Sequence, residues 1–225
     1  MIRNLFHGSD KVVEKPYLGG GKRYNDYGYG FYCTELLNMA KEWSVDPSRD
    51  GFVNKYEIET DGLNILNLND KKYNILHWLT ILLQNRTFDI EAPLAKEAKD
   101  YLISHYSVPL DGVDIIIGYR ADDSYFDFAQ DFINGTISYR QLSIAMRLGH
   151  LGQQFVLVSE KAFERIKYIG YEPVKADVWY KKKKARDSKA KSDYFNADKY
   201  RRIKGDIYIT DIIDEDIKID DPRLQ

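Results

Sequence analysis

The spacing of hydrophobic residues along the chain predicts strands that are interspersed with helices. From Phe52 to Glu59, apolar and polar residues roughly alternate, which is the period of a strand with one buried face. Residues 114–118 instead form a short and almost wholly apolar run, which is typical of a strand buried on both faces. The same criteria predict strands at residues 1–7, 30–34, 52–59, 63–68, 114–118 and 154–158.

Helices are predicted where apolar residues recur every three or four positions. Leu36, Leu37, Ala40 and Trp43 form such a stripe, and Thr34 can cap the helix that carries it. No internal repeat is visible, and the order of the elements indicates an α+β fold. Further helices are predicted at residues 73–84, 92–104, 124–133 and 138–148, with a short helix capped by Ser159.

The charge pattern changes towards the end of the chain. Residues 181–204 are rich in lysine and arginine, whereas the tail from Gly205 onwards is rich in aspartate. Opposite charges on neighbouring segments predict an appended helix and a short docked strand at residues 207–213. The chain is therefore divided into one domain, residues 1–180, and a basic segment with an acidic tail, residues 181–225, docked on it.

The composition is that of a globular protein from a reducing compartment. The 225-residue chain has a formal net charge of −2, which argues against a protein that binds nucleic acid over its whole surface. Its single cysteine, Cys33, excludes an internal disulfide, and no apolar run approaches the roughly 18 residues of a membrane helix. The histidines are too dispersed for a zinc site, so no metal is expected. We expect a cytoplasmic protein with no membrane partner.

Two short motifs near the start of the chain carry the candidate chemistry. His7 can hydrogen-bond a sugar hydroxyl, Gly8 lets a ligand approach the backbone, and Ser9 can reach a ribose hydroxyl. The second motif spans residues 26–34 and contains two glycines and a phenylalanine before Tyr32. The rings of Tyr32 and Trp43 can form the two walls of an aromatic slot. These groups suit an enzyme that breaks the bond between nicotinamide and ribose, which passes through an oxocarbenium-like state.

The two motifs resemble the NAD-binding half of the ADP-ribosyltransferase superfamily. The resemblance is closest to the poly(ADP-ribose) polymerase and diphtheria-toxin branch, whose signature is His-Tyr-Glu. A second ring follows the motif tyrosine by eleven residues in that family, and Trp43 lies eleven residues after Tyr32. Two positions depart from the pattern, because Gln154 stands where the glutamate is expected and Ala40 where a small hydroxyl residue is usual. The chain is also similar to a bacterial family of uncharacterised domains in the same superfamily.

The resemblance implies an ADP-ribosyltransferase-like split β-sandwich of two mostly antiparallel sheets with flanking helices, with NAD bound as substrate between the sheets. It implies catalytic roles for His7, Tyr32 and Gln154. Lys22 and Arg23 lie on the glycine-rich loop that passes over the adenosine in that family, and Arg120 can pair with a phosphate. The residues expected to bind NAD are His7, Gly8, Ser9, Lys22, Arg23, Gly30, Phe31, Tyr32, Trp43 and Arg120.

Several of these candidates also have a purely structural explanation. Trp43 lies on an apolar helical stripe and can pack in the core. Gln154 opens a strand, where a glutamine can simply hydrogen-bond to the backbone. Arg120, Asp122 and Asp123 can form a solvated charged turn, so the role of the two aspartates stays open.

The expected function is NAD-dependent mono-ADP-ribosylation of a macromolecular acceptor, either a protein or a nucleic acid. The bacterial look-alikes imply a toxin or effector, with an antitoxin or immunity protein as a further partner. One alternative is a weak or inactive NAD-binding pseudoenzyme, for which the loss of the glutamate argues. Another is a module that binds nucleic acid or a protein partner through residues 181–204, which we expect to contact a macromolecular acceptor rather than NAD.

Overall fold

The apolar faces of the strands meet between two sheets. The computed structural model describes residues 1–120, 123–146, 152–196 and 202–224. The strands are β1 (Ile2–Ser9), β2 (Phe31–Cys33), β3 (Gly51–Glu59), β4 (Ile65–Asn67), β5 (Ile115–Tyr119), β6 (Gln153–Leu157) and β7 (Ile166–Val174). The helices are α1 (Leu37–Ser44), α2 (Ile75–Asn85), α3 (Pro93–Tyr106), α4 (Asp123–Ile133), α5 (Tyr139–Ala145), α6 (Glu160–Glu164), α7 (Ala176–Asn196) and α8 (Ile209–Asp214), followed by a 3₁₀ turn at Pro222–Leu224.

The two sheets are mostly antiparallel, as predicted. One has the strand order β1-β3-β7, and the other has the order β2-β6-β5-β4, in which only β4 and β5 run parallel. Leu5 and Tyr56 of the first sheet, together with Phe31, Phe155 and Leu157 of the second, belong to one buried cluster between the sheets. This shared core makes the protein an α+β sandwich.

The opposite face of the second sheet is covered by helices. Ile116 and Val156 on that face belong to a larger cluster with Trp78 of α2, Leu102 of α3 and Phe132 of α4. Helix α2 is buried at almost every position, which explains why its sequence is apolar nearly all round rather than on one face. Among the described residues, no helix is long and apolar enough to cross a membrane.

Helix α1 lies unusually close to the first sheet because two glycines permit it. A Cβ atom at Gly8 would lie 2.0 Å from the carbonyl oxygen of Ala40, and one at Gly51 would lie 1.9 Å from that of Ser44. Any side chain at these positions would push the helix away. The glycine of the first motif thus allows α1, and with it Trp43, to lie against the end of β1.

Two elements near the end of the chain differ from the sequence-based expectation. Residues 207–213 were expected to form a strand, but helix α8 begins at Ile209, where Asp211 accepts a hydrogen bond from the Tyr208 N–H at 2.8 Å. Strand β7 was not predicted, because it contains Gly170 and Pro173. Among the described strands it pairs with β3 alone and lies at the edge of the sheet, which is where proline is tolerated.

Of the two predicted helix N-caps, one is confirmed and the other is wrong. Ser159 caps α6 by accepting a hydrogen bond from the Ala162 N–H at 3.1 Å, as predicted. Thr34 does not cap α1, since the helix begins at Leu37 and Leu36 occupies the capping position. The Thr34 hydroxyl instead accepts the Leu36 N–H at 3.1 Å, because Thr34 still belongs to the bridge that joins the two sheets at Phe6.

Candidate active site

A cleft of about 800 Å³ opens beside the ends of β1 and β2. Arg23 is not in its lining, and the guanidinium of this residue instead lies 6.0 Å from the ring of Tyr24. Asp122 and the side chain of Asp123 lie outside the described residues. The predicted residues that line the cleft are His7, Gly8, Ser9, Lys22, Gly30, Phe31, Tyr32, Trp43, Arg120 and Gln154.

The imidazole of His7 is fixed in one orientation. Its Nδ1 lies 2.7 Å from the carbonyl oxygen of Tyr32, and its ring centroid lies 4.4 Å from that of Phe31. A carbonyl oxygen can only accept, so Nδ1 carries the proton. Burial lowers the pKa of His7 below its ordinary value, which keeps the ring neutral at neutral pH. Nε2 is therefore left as a hydrogen-bond acceptor.

Ser9 is held in the loop that follows β1. Its hydroxyl donates to the Lys11 carbonyl at 2.5 Å and accepts from the side-chain amide of Asn54 at 3.0 Å. Asn54 is fully buried, and its oxygen also accepts the Val13 N–H at 2.8 Å. The Ser9 hydroxyl thus already has two hydrogen-bond partners within the protein. Asn54 was not singled out from the sequence, where it is only a polar residue inside a strand.

Tyr32 fixes the loop that precedes its own strand. Its hydroxyl donates to the Gly28 carbonyl at 2.7 Å and accepts the Tyr27 N–H at 3.1 Å. Tyr27 in turn donates its hydroxyl proton to the carbonyl of Tyr119 at 2.6 Å. Burial raises the pKa of Tyr32, so the phenol stays neutral. Its ring lines the cleft, while its oxygen holds the loop in place.

Trp43 reaches the same cleft from helix α1. The guanidinium carbon of Arg120 lies 4.5 Å from the centre of the indole ring, so Arg120 covers one face of the ring. The indole N–H is buried and has no hydrogen-bond partner in the described part of the chain. Trp43 and Tyr32 therefore both line the cleft, but one indole face is already occupied by a cation.

Gln154 takes part in a buried polar cluster that the sequence did not reveal. Its Nε2 donates to the carboxylate of Asp26 at 3.0 Å, and the guanidinium of Arg86 lies 3.2 Å from the other oxygen of that carboxylate. Gln154 and Asp26 are each 5% exposed. Because an ionised carboxylate only accepts, it fixes the amide with Nε2 towards Asp26. The Gln154 Oε1 has no hydrogen-bond partner among the described residues.

Helix α7 also contributes to the cleft. Lys183 and Asp187 are in the lining, one turn apart on the helix. Arg186 ties this part of α7 to α1, since its Nε lies 2.8 Å from a carboxylate oxygen of Glu42 and both side chains are largely buried. The helix runs without a break across residue 180. The basic segment, which was expected to contact a macromolecular acceptor rather than NAD, thus has one face against the cleft.

Comparison with known protein families gives one match. The family described as "Protein of unknown function (DUF3990)" matches residues 3–168, and the chain belongs to this family. No curated protein and no solved structure matches the chain. His7, Tyr32 and Gln154 lie inside the matched region, whereas α7 follows it.

Proposed function

We propose that this member of the DUF3990 family is an NAD-dependent mono-ADP-ribosyltransferase that acts on a macromolecular acceptor. The observation that carries the proposal is the grouping of His7, Tyr32 and Gln154 in one cleft, with the His7 Nε2 left as an acceptor. These positions correspond to the His-Tyr-Glu signature of the ADP-ribosyltransferase superfamily, which the chain resembles at His7 and Tyr32 and from which it departs at Gln154. The cleft volume of about 800 Å³ is within the usual range for sites that bind small molecules and cofactors.

The proposed reaction needs the nicotinamide end of NAD to lie beside Tyr32 and Trp43. His7 Nε2 and Gln154 Oε1 then accept hydrogen bonds from ribose hydroxyls and hold the sugar in place. The bond between the nicotinamide nitrogen and the ribose C1′ breaks, and its electron pair leaves with nicotinamide, which becomes neutral. An acceptor nucleophile forms the new bond to C1′, and the proton that it loses passes to solvent.

The cluster around Gln154 predicts slow transfer and no chain elongation. The amide carries no charge, and the carboxylate of Asp26 is paired with Arg86, so no net negative charge lies at this position. A developing oxocarbenium ion is therefore stabilised less than it would be beside a free carboxylate. A neutral amide also cannot act as a base on an incoming ribose hydroxyl, which favours transfer of a single ADP-ribose.

Two features suggest where the proposed enzyme acts: its single cysteine and its resemblance to bacterial domains of the ADP-ribosyltransferase superfamily. The one cysteine, Cys33, is buried and free, which fits action in the reducing cytoplasm. A role as a toxin or effector, with an antitoxin or immunity protein as partner, is the setting that the resemblance implies.

A second candidate is an NAD-binding protein without turnover. The observation that favours it is the guanidinium of Arg120 on the Trp43 ring, where a nicotinamide ring would compete for the same indole face. The two candidates differ in a single measurable respect. An enzyme releases nicotinamide from NAD, whereas a binding protein leaves NAD intact.

The full-length protein, incubated with NAD labelled in the adenosine half and with cell lysate, tests the proposal. We expect release of nicotinamide and transfer of the label to a macromolecule above the level of lysate alone, and His7→Ala should lower both contributions about a hundredfold or more. Release of nicotinamide without labelled macromolecule would make the protein an NAD hydrolase. Binding of NAD with no release would favour the second candidate, and no binding would refute both.

A further inference from the structure

Helix α7 forms one side of the cleft although it follows the region that the family match covers. Lys183 and Asp187 face the cleft, and the ion pair between Arg186 and Glu42 holds this part of the helix against α1. Glu42 immediately precedes Trp43 in α1. The helix is therefore attached to the same element that carries the aromatic residue of the site.

The acidic side chains that line the cleft are all paired with arginines. The Asp10 carboxylate lies 3.3 Å from Arg49, the Asp26 carboxylate lies 3.2 Å from Arg86, and the Asp187 carboxylate lies 2.9 Å from Arg186. Each of these carboxylates therefore has an arginine beside it, although Arg49 is shared with Asp46 and Arg186 is shared with Glu42.

The lysines that line the cleft are not paired in this way. Within the described residues, none of their ammonium groups lies within 4.0 Å of a carboxylate oxygen. The whole chain has a formal net charge of −2, so the positive charge of the cleft is a local property. The lining has more cationic side chains than carboxylates, so the cleft attracts an anionic ligand. The lysines concerned are Lys11, Lys15, Lys22 and Lys183.

Lys183 differs from the other lysines of its run. Lys182 lies with its ammonium 4.1 Å from the ring of Trp179, away from the cleft lining. Lys181 and Lys184 are exposed and do not line the cleft. Only the third lysine of this run turns towards the cleft, because the helix places successive side chains about 100° apart.

We propose that Lys183 is a phosphate-binding residue of the cleft, and that α7 is consequently part of the nucleotide site. The ligand group is a pyrophosphate, for which an ammonium on a flexible stem is a suitable point charge. The identity of the ligand as NAD rests on the proposed function, whereas the anion site itself rests on the charges of the lining. The basic helix then has two faces, one for the nucleotide and one for solvent or an acceptor.

Calorimetric titrations of the full-length protein with NAD and with inorganic pyrophosphate test this inference. The variant is Lys183→Gln, and the matched control is Lys181→Gln, which removes the same charge from the far side of the same helix. We expect Lys183→Gln to weaken both ligands about tenfold, the scale of losing a hydrogen bond to a charged group. Lys181→Gln should stay within about twofold of the parent, since an exposed charge at this distance is screened.

A third variant, Lys183→Arg, separates a binding role from a structural one. It keeps the positive charge and should retain most of the affinity, and all variants should unfold at the same temperature as the parent. Equal weakening by Lys183→Gln and Lys181→Gln would overturn the inference, as would unchanged binding in Lys183→Gln. If the parent binds pyrophosphate through Lys183 but does not bind NAD, the proposed function fails and the anion site stands.

Discussion

The two walls of the cleft differ in how their polar groups are held. On the strand wall, His7, Tyr32 and Gln154 are neutral, and each is fixed by at least one hydrogen bond to the protein. On the cationic wall, Lys22 and Lys183 come from a loop and from α7 and have no ion-pair partner among the described residues. Neutral groups that are fixed by hydrogen bonds can orient a ligand, whereas flexible cations without an ion-pair partner attract an anionic ligand without defining its geometry. The chemistry is therefore expected at the first wall and charge recognition at the second.

The largest expected effect is on the strand wall. His7→Ala removes the Nε2 acceptor and is expected to lower nicotinamide release by about a hundredfold or more, the range for a positioned catalytic side chain. Far-ultraviolet circular dichroism controls for folding, since the change also removes the hydrogen bond to the Tyr32 carbonyl. A folded His7→Ala protein that retains the parent rate would remove His7 from the mechanism.

The aromatic residue on α1 should have the next largest effect. Trp43→Ala is expected to weaken NAD binding by about 1–3 kcal/mol, the scale of losing one stacking ring. Tyr29→Ala is the matched control, because Tyr29 belongs to the second motif but is 49% exposed and is not in the cleft lining. Calorimetry with NAD measures both variants. Equal affinities for the two would mean that Trp43 serves packing alone.

The contact between Gln154 and Asp26 allows the negative charge to be moved from one residue to the other by mutation. Gln154→Glu alone places a second carboxylate beside Asp26, 3.0 Å from the present amide nitrogen, so the two like charges disfavour each other. The double change Asp26→Asn with Gln154→Glu moves the negative charge to position 154 and gives it an amide partner. We expect nicotinamide release to rise about tenfold in the double variant, a part of what a preorganised charge contributes. A folded double variant that is no faster than the parent would exclude a role for this charge.

The smallest expected effect is on pH dependence. Burial lowers the pKa of His7 below its ordinary value, so the neutral form persists in the folded protein to lower pH than in the unfolded chain. NAD affinity should thus be constant around neutral pH and fall only at acidic pH, where a charged imidazole repels the cationic nicotinamide ring. His7→Gln should remove this fall. Affinity is the proper readout, because His77 also has a lowered pKa and affects stability in the same direction.

The parts of the fold that follow local patterns could be predicted from the sequence. The alternation in β3 and the apolar run of β5 correctly predicted these two strands. The face of the sheet on which a side chain lies follows from its position along the strand, so the pattern is local. Strand β7 was missed, since Pro173 contradicts a strand unless the strand lies at a sheet edge. Sheet position depends on pairing between distant segments and leaves no local pattern.

Residues of the candidate site could be predicted from the sequence only where they belong to a short motif. His7 and Tyr32 belong to short motifs, whereas Asp26 meets Gln154 across 128 positions and Arg186 meets Glu42 across 144. Such contacts depend on the fold and have no characteristic separation in the sequence, so no local pattern predicts them. Asp26 carried one weak signal, since it is the first residue of the second motif.

A crystal structure of the full-length protein grown with NAD tests the division between the two walls most directly. We expect the nicotinamide ring beside Tyr32 and Trp43, a ribose hydroxyl on the His7 Nε2, and the pyrophosphate towards Lys183. NAD bound with its pyrophosphate at the strand wall, or an absence of NAD from this cleft at saturating concentration, would contradict the account.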